Sequence, residues 1–299
     1  MRKIKAALIQ HSHKGSPEAN LAHVAQQIAQ ASKAGADLVV LQELFATAYF
    51  CQNEDPALFD LAECLNPKQA GTTAQKMSEL ARRNQVVLVA SLFEKRAPGL
   101  YHNTALVFEK DGSLAGRYRK MHIPDDPGFY EKFYFTEGDL GFQPVKTSLG
   151  TLGVMVCWDQ WFPEAARLMA LAGADVLIYP TAIGWEPDEQ VDEKERQLDA
   201  WHTVQRGHAI ANGLPLLSCN RHGFEASPDG HTSGTLFWGN SFAVGPQGEW
   251  LGQAACDADQ ILLVELDGQR SEQVRRIWPF LRDRRIDAYG ELLKRYRDS

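Results

Sequence analysis

The sequence has no long apolar run: nothing in its 299 residues approaches the roughly 20-residue hydrophobic length that crosses a bilayer as a helix. It has no CxxC pair and no Cys/His cluster at metal-ligand spacing. Its five cysteines (Cys51, Cys64, Cys157, Cys219 and Cys256) are odd in number and scattered, which argues against a disulfide framework and a zinc site and for reduced thiols. It also lacks an excess of positive charge. Lys and Arg total 31 against 38 Asp and Glu, and the net charge of −7 disfavours nucleic acid while suiting a cationic small substrate. No internal repeat, low-complexity tract or interdomain linker interrupts the chain. The basic start, Met1 to Lys5, is followed by an apolar stretch, Ala6 to Ile9, too short for a secretory leader. A cytoplasmic location is therefore expected.

What is present reads as strands alternating with helices. Ile4 to Gln10 is expected as a strand, and Ser16-Pro17-Glu18 opens a helix carrying Leu21, Val24, Ile28 and Ala31 on one face, closed by Gly35. A short buried strand, Asp37 to Leu41, precedes Glu43. A helix over Thr73–Arg83, a strand over Val86–Leu92 and a hairpin about Asp111-Gly112 follow. Residues 121–142, rich in Pro, Asp, Gly and aromatics, form a long connection of the kind that usually carries function. After Cys157 come a helix from Pro163 to Leu171, a strand from Asp175 to Tyr179, a long helix over Glu195–Ala211 and further strands to Leu266. The expected organisation is one α/β domain over 1–269 and an extension over 270–299, rich in Arg and aromatics, that suits packing on a neighbouring subunit.

Glu43, Lys120 and Cys157 each end a run with strand character, and strand ends at one edge of an α/β sheet converge on a ligand crevice. A carboxylate, an ammonium and a thiol form a complete set for acyl transfer: the thiol attacks, the carboxylate moves protons, and the ammonium stabilises an oxyanion. Val154-Met155-Val156 leads into the thiol, and Pro163-Glu164 opens a helix beyond it. Cys157 is thus expected beside a helix N-terminus, where the dipole favours thiolate. Each residue alone has a plainer reading, as an inert core thiol, a solvated acid or a surface lysine. His208 falls within the long helix, where a structural hydrogen-bonding role outweighs a Cys-His dyad.

Taken together, Leu41-Gln42-Glu43-Leu44-Phe45, Tyr118-Arg119-Lys120-Met121-His122 and Val156-Cys157-Trp158-Asp159 closely resemble the signatures of the nitrilase (carbon–nitrogen hydrolase) superfamily. The resemblance extends through His102-Asn103-Thr104, Pro180-Thr181-Ala182, Gln205 to Ala209 and Gly239-Asn240-Ser241. It implies an α-β-β-α sandwich that pairs into an extended sandwich on dimerisation or in larger homo-oligomers. It also implies Cys157 as nucleophile, Glu43 as general base, Lys120 as oxyanion-stabilising lysine and Glu131 as an additional glutamate holding lysine and substrate amide in register. Residues Lys120 to Phe135 and Thr181 to Pro187 are similar to the substrate loops of the N-carbamoylputrescine amidohydrolases within that superfamily.

The resemblance thus implies hydrolysis of a small cationic ureido substrate, with no metal and no organic cofactor. The distal ammonium of such a substrate needs carboxylates or aromatic faces. Asp125, Asp126, Tyr130, Trp185 and Glu186 are candidates, Glu186 foremost, with Trp158 and Thr181 also expected at the substrate. Other readings are a different substrate within the superfamily (a β-ureidopropionase, a D-carbamoylase, an ω-amidase or a nitrilase) and a catalytically silent scaffold.

Overall fold

The computed structural model describes residues 2–65, 72–228, 230 and 232–297. Fifteen strands and six α-helices are described: β1 (Ile4–Gln10), α1 (Pro17–Lys33), β2 (Leu38–Leu41), α2 (Thr73–Asn84), β3 (Val87–Ala97), β4 (Leu100–Phe108), β5 (Leu114–Arg119), α3 (Glu131–Tyr134), β6 (Val145–Thr147) and β7 (Gly150–Val154) come first. Then follow α4 (Pro163–Leu171), β8 (Val176–Thr181), β9 (Gly184–Trp185), α5 (Val191–Asn212), β10 (Leu216–Asn220), β11 (His222–Glu225), β12 (Thr235–Trp238), β13 (Phe242–Val244), β14 (Trp250–Gln253), β15 (Gln260–Leu266) and α6 (Gly268–Ile277).

The strands form two six-stranded sheets, ordered β15-β1-β2-β3-β4-β5 and β14-β13-β10-β8-β7-β6, and a small third sheet, β11-β12-β9. In each large sheet three central strands run parallel, β1-β2-β3 and β10-β8-β7. Such strands are covered on both faces and read as continuous apolar runs. Along β1 the pleat divides that run: Ala6 and Leu8 face the second sheet, while Ala7 and Ile9 pack with Val24, Ile28 and Ala31 of α1 and Met77 and Ala81 of α2. The second sheet's outer face packs on Ala165, Ala166 and Met169 of α4 and Trp201 and Ala209 of α5. The layers are therefore helix, sheet, sheet, helix, as expected. The sheets touch directly, since the Cys219 thiol of β10 lies 3.3 Å from the carbonyl oxygen of Ile9 and 3.4 Å from that of Val40.

Local chemistry fixes the ends of these elements. The Ser16 side chain accepts the Ala19 N–H at the start of α1, with Pro17 in the first turn. Gly213, left-handed at φ +59°, closes α5. Gly112 turns the β4–β5 hairpin at φ +84°, where an added Cβ would stand 2.7 Å from the Ser78 carbonyl oxygen. One expectation fails. The thiol does not sit at the N-terminus of α4, because a 3-10 turn, Cys157–Trp161, intervenes before Pro163. The third sheet, β11-β12-β9, had no clear signal in the sequence.

Candidate active site

Glu43, Lys120, Cys157 and Arg221 follow directly or closely on β2, β5, β7 and β10, at the same end of the two sheets. A backbone hydrogen bond from Glu43 N–H to the Thr181 carbonyl, 3.3 Å, joins the sheets at this level. Lys120, wholly buried, donates to Glu43 Oε1 at 2.8 Å and to Glu131 Oε2 at 2.6 Å. Asn103 Nδ2 donates to the same Glu43 oxygen at 2.7 Å, and Tyr49 OH donates to Glu131 Oε1 at 2.7 Å. Glu131 lies inside the protein with these partners rather than on the surface beside Lys132. Its place on the single turn α3 is secured by Tyr130 N–H donating to the Cys51 carbonyl and Tyr134 OH donating to the Asn53 carbonyl. Tyr49, Phe50, Phe93, Tyr134, Phe135 and Phe237 pack around the same segment.

The second oxygen of Glu43, Oε2, is buried and has no hydrogen-bond partner among the described residues. A buried carboxylate oxygen left open costs stability unless something uses it. The neighbouring acid group is Cys157, whose thiol faces the Ala182 carbonyl at 3.7 Å and feels the Glu43 and Lys120 charges.

Burial pushes the Cys157 thiol well above its ordinary value, the Glu43 charge adds to this, and Lys120 only partly opposes it. The thiol form is therefore favoured at rest, in place of the expected dipole-stabilised thiolate. Burial also raises Glu131, to about 7, against the pull of Lys120. For Lys120 burial acts to lower the value, and the charges of Glu131 and Glu43 outweigh it, so the ammonium stays protonated.

The thiol-bearing turn is held by backbone as much as by charge. Cys157 adopts φ +41°, a conformation rare for a residue with a side chain and common at strained functional turns. Asp159, two residues on and fully buried, accepts from Val156 N–H at 3.0 Å, Tyr118 OH at 2.9 Å and His122 N–H at 3.0 Å, and lies 2.7 Å from His122 Nδ1. The His122 ring in turn lies flat on Phe162, centroids 3.7 Å apart. His208 is engaged elsewhere, its Nε2 2.9 Å from the Gln160 carbonyl oxygen, as a structural histidine would be.

Above Cys157 opens a cavity of about 370 Å³ lined by Asp126, Glu131, Trp158, Trp161, Glu186, Glu189 and Trp238 among others. Of the expected substrate residues, Asp126, Trp158 and Glu186 line it. Asp125, Tyr130, Thr181 and Trp185 are not among its lining residues. Asp125 and Asp126 are both exposed, and of the two Asp126 borders the cavity. Tyr130 is half-buried at the entry to α3. Thr181 turns its hydroxyl to Gln160 and to the Tyr179 carbonyl, and Trp185 donates its indole N–H to the Lys194 carbonyl while packing on Trp238. Glu189, held by Gln197 Nε2 at 2.8 Å, carried no signal in the sequence. Asn103 did, within the His102-Asn103-Thr104 motif. No cluster of three or more metal-ligating side chains occurs among the described residues.

Residues 5–276 match the family model described as carbon-nitrogen hydrolase. An N-carbamoylputrescine amidase of Oryza sativa subsp. japonica is 41% identical over 293 residues, 97% of this chain and 95% of that protein. A citrullinase of Francisella tularensis subsp. tularensis is 40% identical over 297 residues, 99% of this chain and 100% of that protein. Among solved structures, a carbon-nitrogen hydrolase from Helicobacter pylori G27 is 58% identical, with a TM-score of 0.95 over 99% of this chain and 100% of that one.

Proposed function

Because the chain belongs to the carbon–nitrogen hydrolase family, we propose that it hydrolyses N-carbamoylputrescine to putrescine, carbon dioxide and ammonia, a step of putrescine biosynthesis. In this reading Glu43 Oε2 takes the thiol proton as Cys157 Sγ attacks the ureido carbon. Lys120 Nζ and the Trp158 backbone N–H hold the oxyanion, each such donor being worth on the order of 3 kcal/mol of barrier. Glu43 returns the proton to departing ammonia, leaving a carbamoyl thioester. Glu43 then activates water, the C–S bond breaks, and the released carbamate decomposes to carbon dioxide and the amine. Glu131 holds Lys120 and the substrate amide in register.

The observation that carries the substrate choice is the cavity wall. Asp126, Glu186 and Glu189 line it beyond Glu131, together with Trp158, Trp161 and Trp238, and no Lys or Arg is among its lining residues. An ammonium is matched by carboxylates and aromatic faces. Carbamoyl-β-alanine carries only a carboxylate at the far end, which this wall disfavours, whereas citrulline carries an α-ammonium beside its carboxylate and is told apart from the diamine derivative by assay. Glu186 is the proposed partner of the distal ammonium.

The test follows ammonia release from N-carbamoylputrescine, citrulline, carbamoyl-β-alanine and a simple nitrile. The diamine derivative should turn over fastest, and Glu186→Gln should narrow its advantage over a neutral carbamoyl-alkylamine by about tenfold. Faster citrulline turnover, or unchanged discrimination in the variant, would sink the assignment.

Two further parts belong to the proposal. Residues 270–299 are read as an extension packed at a subunit interface, supported by the exposure of Ile277, Ile286, Leu292, Leu293 and Tyr296. A cytoplasmic location is supported by the free, buried thiols of Cys51, Cys157 and Cys219.

A further inference from the structure

Arg221 is a buried cation outside the reacting groups, and its position is not explained by stability alone. Its side chain is 1% exposed and that of its partner Glu225 is 7% exposed, with Nη1 2.7 Å from Glu225 Oε1. Well-packed apolar residues often replace such buried pairs at no loss of stability. What an apolar pair cannot reproduce is the rest of the contact set. Arg221 Nη2 donates to the carbonyls of Glu43 and Leu44, both at 3.0 Å. Leu44 adopts φ +47°, so the guanidinium grips the backbone at the strained turn that aims the Glu43 side chain. The guanidinium also lies over the rings of Phe237 and Tyr49, 5.2 and 5.8 Å from their centroids. Glu225 Oε2 accepts the Tyr49 N–H at 2.6 Å, and Tyr49 OH reaches Glu131.

We propose that the Arg221–Glu225 pair is a positioning device that sets both glutamates around Lys120, Glu43 through the backbone carbonyls of residues 43 and 44, and Glu131 through Tyr49. The planar fork is what the geometry requires. It presents donors in fixed directions to a carboxylate on one side and two successive carbonyls on the other, which a lysine ammonium cannot do. Neither residue touches the cavity, so the pair acts only through the groups it holds. The proposal rests on reading Glu43 as the base for Cys157, and it does not depend on which ureido compound is the substrate.

The experiment compares the parent with Arg221→Lys and with the neutral double variant Arg221→Met/Glu225→Gln, using the full-length chain. Three quantities are read: the pH profile of kcat with whichever ureido compound releases ammonia, KM, and the rate of Cys157 alkylation by iodoacetamide, followed by mass spectrometry of its peptide. Displacements near 1 Å cost on the order of 100-fold in rate, so kcat should fall about 10- to 100-fold in both variants. KM should change little, the acid limb should move to higher pH as the carboxylates lose their hold on Lys120, and alkylation at neutral pH should slow. Thermal melting of the double variant separates folding from positioning. A kcat and pH profile equal to the parent's would overturn the proposal. So would an activity loss that merely tracks lost fold with the acid limb unmoved. If Cys157→Ala still releases ammonia, or Glu43→Gln alkylates like the parent, the reading of the site itself fails, and that result is distinct from failure of the positioning pair.

Discussion

At the scale of single residues the site is a charge problem: two carboxylates share one buried ammonium. Glu131 is pushed up to about 7 from an ordinary 4.5, first by burial and then by the Glu43 charge, with Lys120 opposing. The sign follows from proton linkage. Between those values the folded protein holds a proton that the unfolded chain has released, so ionisation of Glu131 lowers stability as pH rises from about 4.5 to about 7. Glu131→Gln removes that cost and leaves the Lys120–Glu43 pair matched in charge. Its melting temperature relative to the parent should therefore climb across that interval, while turnover falls by about 100-fold or more as the lysine loses its second anchor. Melting curves from pH 4 to 8 check this, and a difference that stays flat with pH refutes it. Burial keeps Cys157 as a thiol, while the charges of Glu131 and Glu43 keep Lys120 protonated against the same burial.

At the scale of elements the decisive unit is the turn between β7 and α4. Asp159 satisfies donors from Val156, Tyr118 and His122 at once, and so fixes the backbone that holds Cys157 at positive φ. Asn in its place has one acceptor oxygen and presents an amide group to the remaining donors. Asp159→Asn should cost about 1–3 kcal/mol of stability, read by urea unfolding, and should lower kcat at nearly constant KM. Unchanged unfolding and turnover would show that the turn is held elsewhere. The sequence made β1, α1, α2, the β4–β5 hairpin and the long helix legible because each carries an apolar period with a cap or turn residue beside it. Strand-end positions pointed to Glu43, Lys120 and Cys157 and the family resemblance to Glu131, four residues that the fold brings together. The sequence offered no access to the 3-10 turn after Cys157, whose geometry depends on Asp159 meeting residues about 40 positions away. Nor did it distinguish Asp125 from Asp126, because two adjacent acids in a proline-flanked loop differ only in where the fold turns them. The two-residue strand β9 and the short β11 and β12 are too brief for any period to register.

At the scale of the whole molecule, the site draws on residues between Glu43 and Trp238 and on both sheets, so no fragment carries it. From the last residue of α6 onward the chain presents Ile277, Ile286, Leu292 and Leu293 to solvent, apolar area of the kind found at contact surfaces. A chain ended after Ile277 should contain fewer subunits per particle by light scattering than the parent; an unchanged subunit number would remove the extension from any role in assembly.

The pairing of β1 with β15 has a consequence in time. Ile4 lies opposite Leu266, so β1 waits beside an open edge until β15 has been synthesised. A ribosome that stalls before residue 260 releases a product in which β1 is the exposed edge of its sheet, prone to sticking to its neighbours. Quality control would meet that hazard long before any question of chemistry arose.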